Sequence, residues 1–149
     1  MWIELAVAFV VLGAAVAAAQ FAPDVREALG SAKELYVATR RADGSMSEAA
    51  PIWFMFDCEA VYFTTVPGSH KAKRIARGSP VIAWVGSQTG PHFVGKGEVL
   101  HDPALAEKMA PVYDQKYWIS WLGFFRPRAD RIRDGKTVIV RVTPMPAGS

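Results

Sequence analysis

The sequence holds a single cysteine, Cys58, among 149 residues. An internal disulfide is therefore excluded, and a disulfide-free chain suits a reducing compartment. The histidines are few and scattered, at His70, His92 and His101. No Cys/His grouping has the spacing of a structural zinc site, so no structural metal is expected. No serine stands in a nucleophile elbow beside a recognisable His and acid, which gives no support to a hydrolase. Internal repeats and low-complexity linkers are missing too, so neither a solenoid nor a string of domains is indicated. Charged residues make up only 21% against 51% hydrophobic, a balance that excludes disorder.

What is present fits one compact domain with a sizeable core. A net charge of +3 favours anionic partners without choosing among phosphates, nucleic acid and acidic lipid. Nucleic acid is not expected, because the basic residues form one small cluster and the aromatics follow strand patterns instead of interleaving with it. Leu5 to Ala19, LAVAFVVLGAAVAAA, is an unbroken apolar run that Trp2, Ile3 and Phe21 extend. About 20 residues at roughly 1.5 Å each span a bilayer core, so residues 1–22 are expected to form a transmembrane anchor and residues 23–149 the folded domain. A secretory signal is the rival, since Ala17 and Ala19 form an A-x-A pattern, but the residue before the run is Glu4 and no basic segment precedes it. Arg26, Lys33, Arg40 and Arg41 all follow the run, and the positive-inside rule then places the domain on the cytoplasmic side of a single-pass membrane protein.

Beyond the anchor, Pro23-Asp24 opens a short helix that Gly30 can end. ELYVATRR, SEAAPIWFMFD and VYFTTV read as three strands of an antiparallel meander, the first turn carrying Asp43-Gly44. Pro51 confines part of the second strand to an edge or bulge. PVIAWVG, PHFVGKGEVLH and TVIVRVTP supply three more strands. Asp102-Pro103 starts a helix bearing Leu105, Met109, Val112, Tyr113 and Tyr117 at helical spacing, with Pro111 expected to kink or split it. ISWLGFFRPRADRIRDG fits no element clearly, and its aromatics Trp118, Trp121, Phe124 and Phe125 suit a lid, a dimer contact, a membrane interface or plain core. The expectation is a mainly β (α+β) fold: a six-stranded antiparallel barrel with short helices at its rim, its apolar face asking for a second copy.

Between the third and fourth strands lies TTVPGSHKAKRIARGSP, residues 64–80, with Lys71, Lys73, Arg74 and Arg77 in seven positions. Ser69 can cap the helix that follows, whose first turn would offer N–H groups and partial positive charge to an anion. Lys71 in that first turn meets like charge, which makes sense with a phosphate between them. An ordinary exposed basic helix capped by serine explains the same residues.

Thr64, Pro67-Gly68-Ser69, Lys71 and Arg74-Ile75, followed by Pro80 and a hydrophobic strand, resemble the pyridoxamine 5′-phosphate oxidase-like flavin-binding split-barrel superfamily. The order YVATRRADGS, PIWFMFD, VYFTT, VGKGEVL, a helix with KYW, and VIVRVTP agrees with it over about residues 31–144. The resemblance implies a split barrel that binds FMN or a deazaflavin coenzyme, its phosphate held by Thr64, Ser69 and Lys71 with Thr65 beside them. His70 stands where the oxidase has arginine, one permanent charge fewer, which Lys73 or Arg74 would offset. Pro51–Phe54 would run beneath the ring with Trp53 packed near it, although a core tryptophan in a strand explains Trp53 equally well. The oxidase's arginine on the second strand would fall near Ala50 and its glutamine near Gly90, and both are missing. Its carboxyl-terminal substrate segment is missing as well, so pyridoxamine phosphate oxidation itself is not expected. Two functions are carried forward: a membrane-anchored oxidoreductase passing hydride to a small molecule, and a non-catalytic accessory subunit of a membrane complex without cofactor. Tetrapyrrole binding has no convincing ligand.

Overall fold

The computed structural model describes residues 19–118 and 125–146. Helix α1 (Pro23–Ser31) leads into β1 (Leu35–Thr39), β2 (Ala50–Ile52), β3 (Met55–Phe56) and β4 (Val61–Thr65). Helix α2 (His70–Ala76), β5 (Pro80–Val85), β6 (His92–Leu100), α3 (Pro103–Lys116), α4 (Ala129–Arg133) and β7 (Val138–Pro144) follow. All pairs are antiparallel, in one sheet ordered β2-β1-β5-β6-β7-β4-β3.

Seven strands replace the expected six because SEAAPIWFMFD is not one strand. Ala50–Ile52 pairs with β1 at one edge, with Pro51 opposite Tyr36. Met55–Phe56 pairs with β4 at the other edge, with Met55 opposite Tyr62. Only Trp53 and Phe54 separate the two, so the opposite edges of the sheet lie within roughly 11 Å of each other. The sheet is thus curled into a barrel whose final gap is bridged by covalent chain instead of a hydrogen-bond ladder. An edge position also tolerates Pro51, which has no N–H to donate.

Alternation along the strands sends residues to two cores. Val61 and Phe63 face the interior with Val37, Val81, Val140 and Phe54, where α1 adds Val25 and Leu29 and α2 adds Ile75. Tyr62 and Ile139 face outward beneath Ala106, Met109 and Tyr113 of α3 and Ile132 of α4. Gly97 lets α2 lie close on β6: a Cβ there would come within 2.7 Å of the Ile75 side chain. Phe21 is 4% exposed and meets Phe93 and Phe56 edge-on at 5.0 and 5.7 Å, so it belongs to the barrel core and not to an anchor. The rest of the expected anchor falls almost wholly on residues 1–18, outside those described. Among the described residues no helix is long and apolar enough to cross a membrane.

Helix α3 runs unbroken through Pro111, contrary to the expected split. Its last turn holds the seam. Residues 113, 116 and 117 share one helix face. Tyr113 donates its hydroxyl to the Trp53 carbonyl at 2.9 Å, and Lys116 donates to the Phe54 carbonyl at 3.2 Å. The Tyr117 hydroxyl accepts the Phe54 N–H at 3.1 Å and donates to the Lys33 carbonyl at 2.5 Å. Its ring stacks on Trp53, centroids 4.2 Å apart. Tyr117→Phe strands a buried donor, so urea unfolding should show a loss of about 1–3 kcal/mol. A loss below about 0.5 kcal/mol, the scatter of ordinary surface changes, would mean the seam does not depend on this hydroxyl.

Candidate functional site

Because the barrel closes through two residues instead of a ladder, a cavity of about 640 Å³ opens at the seam. One wall comes from the β1–β2 edge, with Glu34, Pro51, Ile52 and Trp53. The other comes from β4 and the approach to β7, with Thr64 and Thr137. Phe125, Arg126, Arg128 and Arg131 reach it from the segment between α3 and β7. Trp53 forms a shelf: Tyr117 stacks parallel to its ring, and Phe125 meets it edge-on at 5.6 Å.

The charges divide between the walls. Glu34 accepts the Tyr36 hydroxyl at 3.2 Å, and this contact holds the Tyr36 phenol above its ordinary range. Arg126 is paired with Asp114 at 3.1 Å, and Arg128 with Asp130 at 2.7 Å, which lowers the Asp130 carboxyl. Arg131 differs from both. Its Nε donates to the Thr137 hydroxyl at 3.2 Å, and it takes part in no ion pair among the described residues. The cavity therefore offers a flat apolar shelf and a cationic rim, a donor set that fits a planar aromatic ring carrying an anionic substituent.

The residues expected to bind one cofactor lie in three places. Trp53 and Thr64 both line the seam cavity. Thr65 points to the opposite face, and its hydroxyl lies 3.1 Å from that of Ser69. Ser69 caps α2 by accepting the Ala72 N–H at 3.1 Å. His70 and Lys71 form the first turn of α2, and neither lines the cavity. The Lys71 amine sits 5.6 Å over the Phe63 ring, and burial lowers its pKa. Arg74 is farther off, donating to the Thr39 hydroxyl at 3.5 Å. Sequence reading missed Glu34, Arg126, Arg128, Arg131 and Thr137. The recurrent arginines of RPRADRIR were the available signal, but the segment matched no element, and so they had no face to be placed on.

The family model for "Pyridoxamine 5′-phosphate oxidase" matches residues 21–147. The chain belongs to this family. Among solved structures, an F420 reductase shares 22% identity at a TM-score of 0.56, covering 84% of this chain and 97% of that one. General stress protein 26 from Bacillus anthracis shares 18% at 0.59, covering 80% and 88%. A general stress protein 26-related protein of the pyridoxinephosphate oxidase family from Clostridium acetobutylicum shares 17% at 0.56, covering 80% of each chain. At these identities the likeness is one of fold. No curated protein matches the chain.

Under the seam of this oxidase-family barrel lies an amine that the sequence did not single out. Lys116 places Nζ 3.2 Å from the centroid of the Phe54 ring, beside a smaller hollow that it lines with Lys33 and Gln115. The ring face favours the charged amine, but burial disfavours it more and lowers the pKa from 10.5 to about 8. Below pH 8 folded and unfolded chains both hold the proton, and the cost of burying the charge is felt in full. Between pH 8 and 10.5 the unfolded chain keeps a proton that the folded chain releases, so this group makes stability rise with pH. Tyr62 and Tyr117, pushed up to about 12, act the opposite way, but only above their ordinary value of 10. The urea midpoint should therefore rise from about pH 8 to 9.5, and Lys116→Met should flatten that rise. Identical profiles for parent and variant would contradict the assignment.

Proposed function

We propose that the chain is a split-barrel oxidoreductase that holds FMN or a deazaflavin coenzyme in the seam cavity and transfers hydride to a small molecule. FMN and the deazaflavin F420 are the typical ligands of its family. The observation that carries the reading is the seam cavity itself, lined by Pro51, Ile52, Trp53 and Thr64 at the positions that the family resemblance assigns to ring and phosphate. The bound ring supplies the hydride chemistry. Trp53 and Ile52 pack against it, with Tyr113 of α3 and Phe125 of the segment before α4 beside them. Arg131, which has no carboxylate partner among the described residues, pairs with the phosphate beside the Thr64 and Thr137 hydroxyls. No side chain needs to serve as acid or base.

The apolar run of residues 5–19 supports a membrane tether with the domain on the cytoplasmic face. Trp118 and Phe125, 71% and 76% exposed, support a contact with a second copy or a membrane partner. The same run is what favours the second reading, a cofactor-free accessory subunit of a membrane complex.

The test is an absorbance titration of the detergent-purified chain with FMN and with F420, repeated on Arg131→Gln and Lys71→Ala. Loss of one charge-assisted pair should weaken binding about tenfold or more in Arg131→Gln and little in Lys71→Ala. The reverse order would move the phosphate to the turn at Ser69–Lys71. If neither coenzyme bound the parent, the oxidoreductase reading would fall and the accessory one would stand.

A further inference from the structure

The basic helix that drew attention in the sequence does not point its charges at the seam. Arg74 and Arg77, at the carboxyl end of α2, line a separate hollow of about 200 Å³ with Arg40 and Arg41 of the hairpin after β1. No residue is shared with the seam cavity. Glu34, on the wall of that cavity, and Arg40, in this hollow, flank opposite ends of β1, roughly 20 Å apart at strand rise.

Four arginines line this one hollow, and like charges gathered that closely repel one another, so the gathering needs a cause. The carbonyl end of a helix attracts cations, which accounts for Arg74 and Arg77. It does not account for Arg40 and Arg41, which arrive from a different element. Nor are these arginines balanced internally. The ion pairs of the described residues engage Arg126, Arg128, Arg133 and Arg141, and none engages the four in the hollow. The nearby carboxylate, Asp43, is turned to the N–H and hydroxyl of Ser45 at 2.9 and 2.6 Å. Those Ser45 bonds hold the Asp43 carboxyl below its ordinary range, with a smaller pull from Arg41, and Asp43 does not line the hollow.

Neutral groups hold three of the four arginine side chains. Arg41 donates to the Met46 carbonyl at 2.6 Å, Arg74 to the Thr39 hydroxyl at 3.5 Å, and Arg77 to the Lys73 carbonyl at 3.3 Å. The two segments are stapled together where the Arg40 N–H donates to the Ser79 hydroxyl at 2.8 Å. That hydroxyl in turn donates to the Pro80 carbonyl at 2.7 Å. The arrangement is charged, and no ion pair among the described residues engages it; Asp43 acts on Arg41 only through space.

We propose that Arg40, Arg41, Arg74 and Arg77 form a second anion site, independent of the seam cavity, that binds a phosphate group. Planar guanidinium forks match phosphate oxygens two at a time, and several can share one phosphoryl group. The hollow has the space of roughly seven waters, which suits a phosphoryl or diphosphoryl group with part of its hydration shell.

Calorimetry with inorganic pyrophosphate, on the full chain in a neutral detergent at low ionic strength, tests this. Arg40→Gln with Arg77→Gln removes two exposed cations from the hollow, and Arg26→Gln with Lys108→Gln removes two exposed cations elsewhere. The first pair should weaken binding at least about tenfold, and the charge-matched second pair less than about twofold. Equal weakening by both pairs would show diffuse attraction only and overturn the site. So would an absence of pyrophosphate binding, or its loss in Arg131→Gln, which would return the anion to the seam. Phosphatidic acid added to the micelles separates the sources of phosphate. Displacement of pyrophosphate assigns the hollow to a lipid headgroup, and retention assigns it to a soluble phosphate.

Discussion

Everything in this fold hangs on the passage of the chain from one edge of the sheet to the other at Trp53-Phe54. A seven-stranded sheet with two free edges would expose unpaired backbone along both. Here the edges are brought together by a connection of two residues, and three of its backbone groups are taken up at the end of α3. The Trp53 carbonyl, the Phe54 N–H and the Phe54 carbonyl find Tyr113, Tyr117 and Lys116. Three side chains on one helix face thus satisfy the backbone where no strand can. Phe54 turns fully inward to the interior core, and Trp53 stays half-buried outside it as the shelf of the cavity.

The same gap explains why the cavity lies where it does and why its charges divide. A closed ladder would leave no room between β2 and β4. With the ladder broken, the walls come from parts of the chain far apart in sequence, Glu34 on one side and Thr64, Arg131 and Thr137 on the other. The helix layer packed over Tyr62 and Ile139 brings the arginines of the segment before β7 to the rim. Meanwhile α2, sunk onto β6 by Ile75 against Gly97, directs its carboxyl-terminal arginines to the hairpin after β1. Basic residues that are neighbours in sequence and basic residues that line one cavity are different sets in this molecule.

That distinction marks how far the sequence was legible. Strands β1, β4, β5, β6 and β7 were readable from their apolar runs, and the caps at Ser69 and Asp102 from their position before helical patterns. The break of SEAAPIWFMFD was not, because an unbroken apolar and aromatic run has the same composition whether it serves one edge or two. Pro51 did signal an edge. Of the residues expected at the site, Trp53 and Thr64 line the seam cavity, and both lie on elements that the family resemblance had placed in order. Arg131 and Thr137 were not legible. Their place depends on α4, a helix of five residues too short to show a period. Lys71 was expected to hold the phosphate and Arg74 to assist it, yet one turn of helix sends the first over Phe63 and the second to Thr39.

The central claim is that the seam is both the closure of the barrel and the binding site. Amide hydrogen exchange of the full chain, with and without saturating coenzyme, tests it most directly. The account expects added protection in Ile52–Phe56, around Thr64 and across residues 126–137, with residues 40–46 and 74–79 unchanged. Protection confined to the second set, or spread evenly over the sheet, would contradict it.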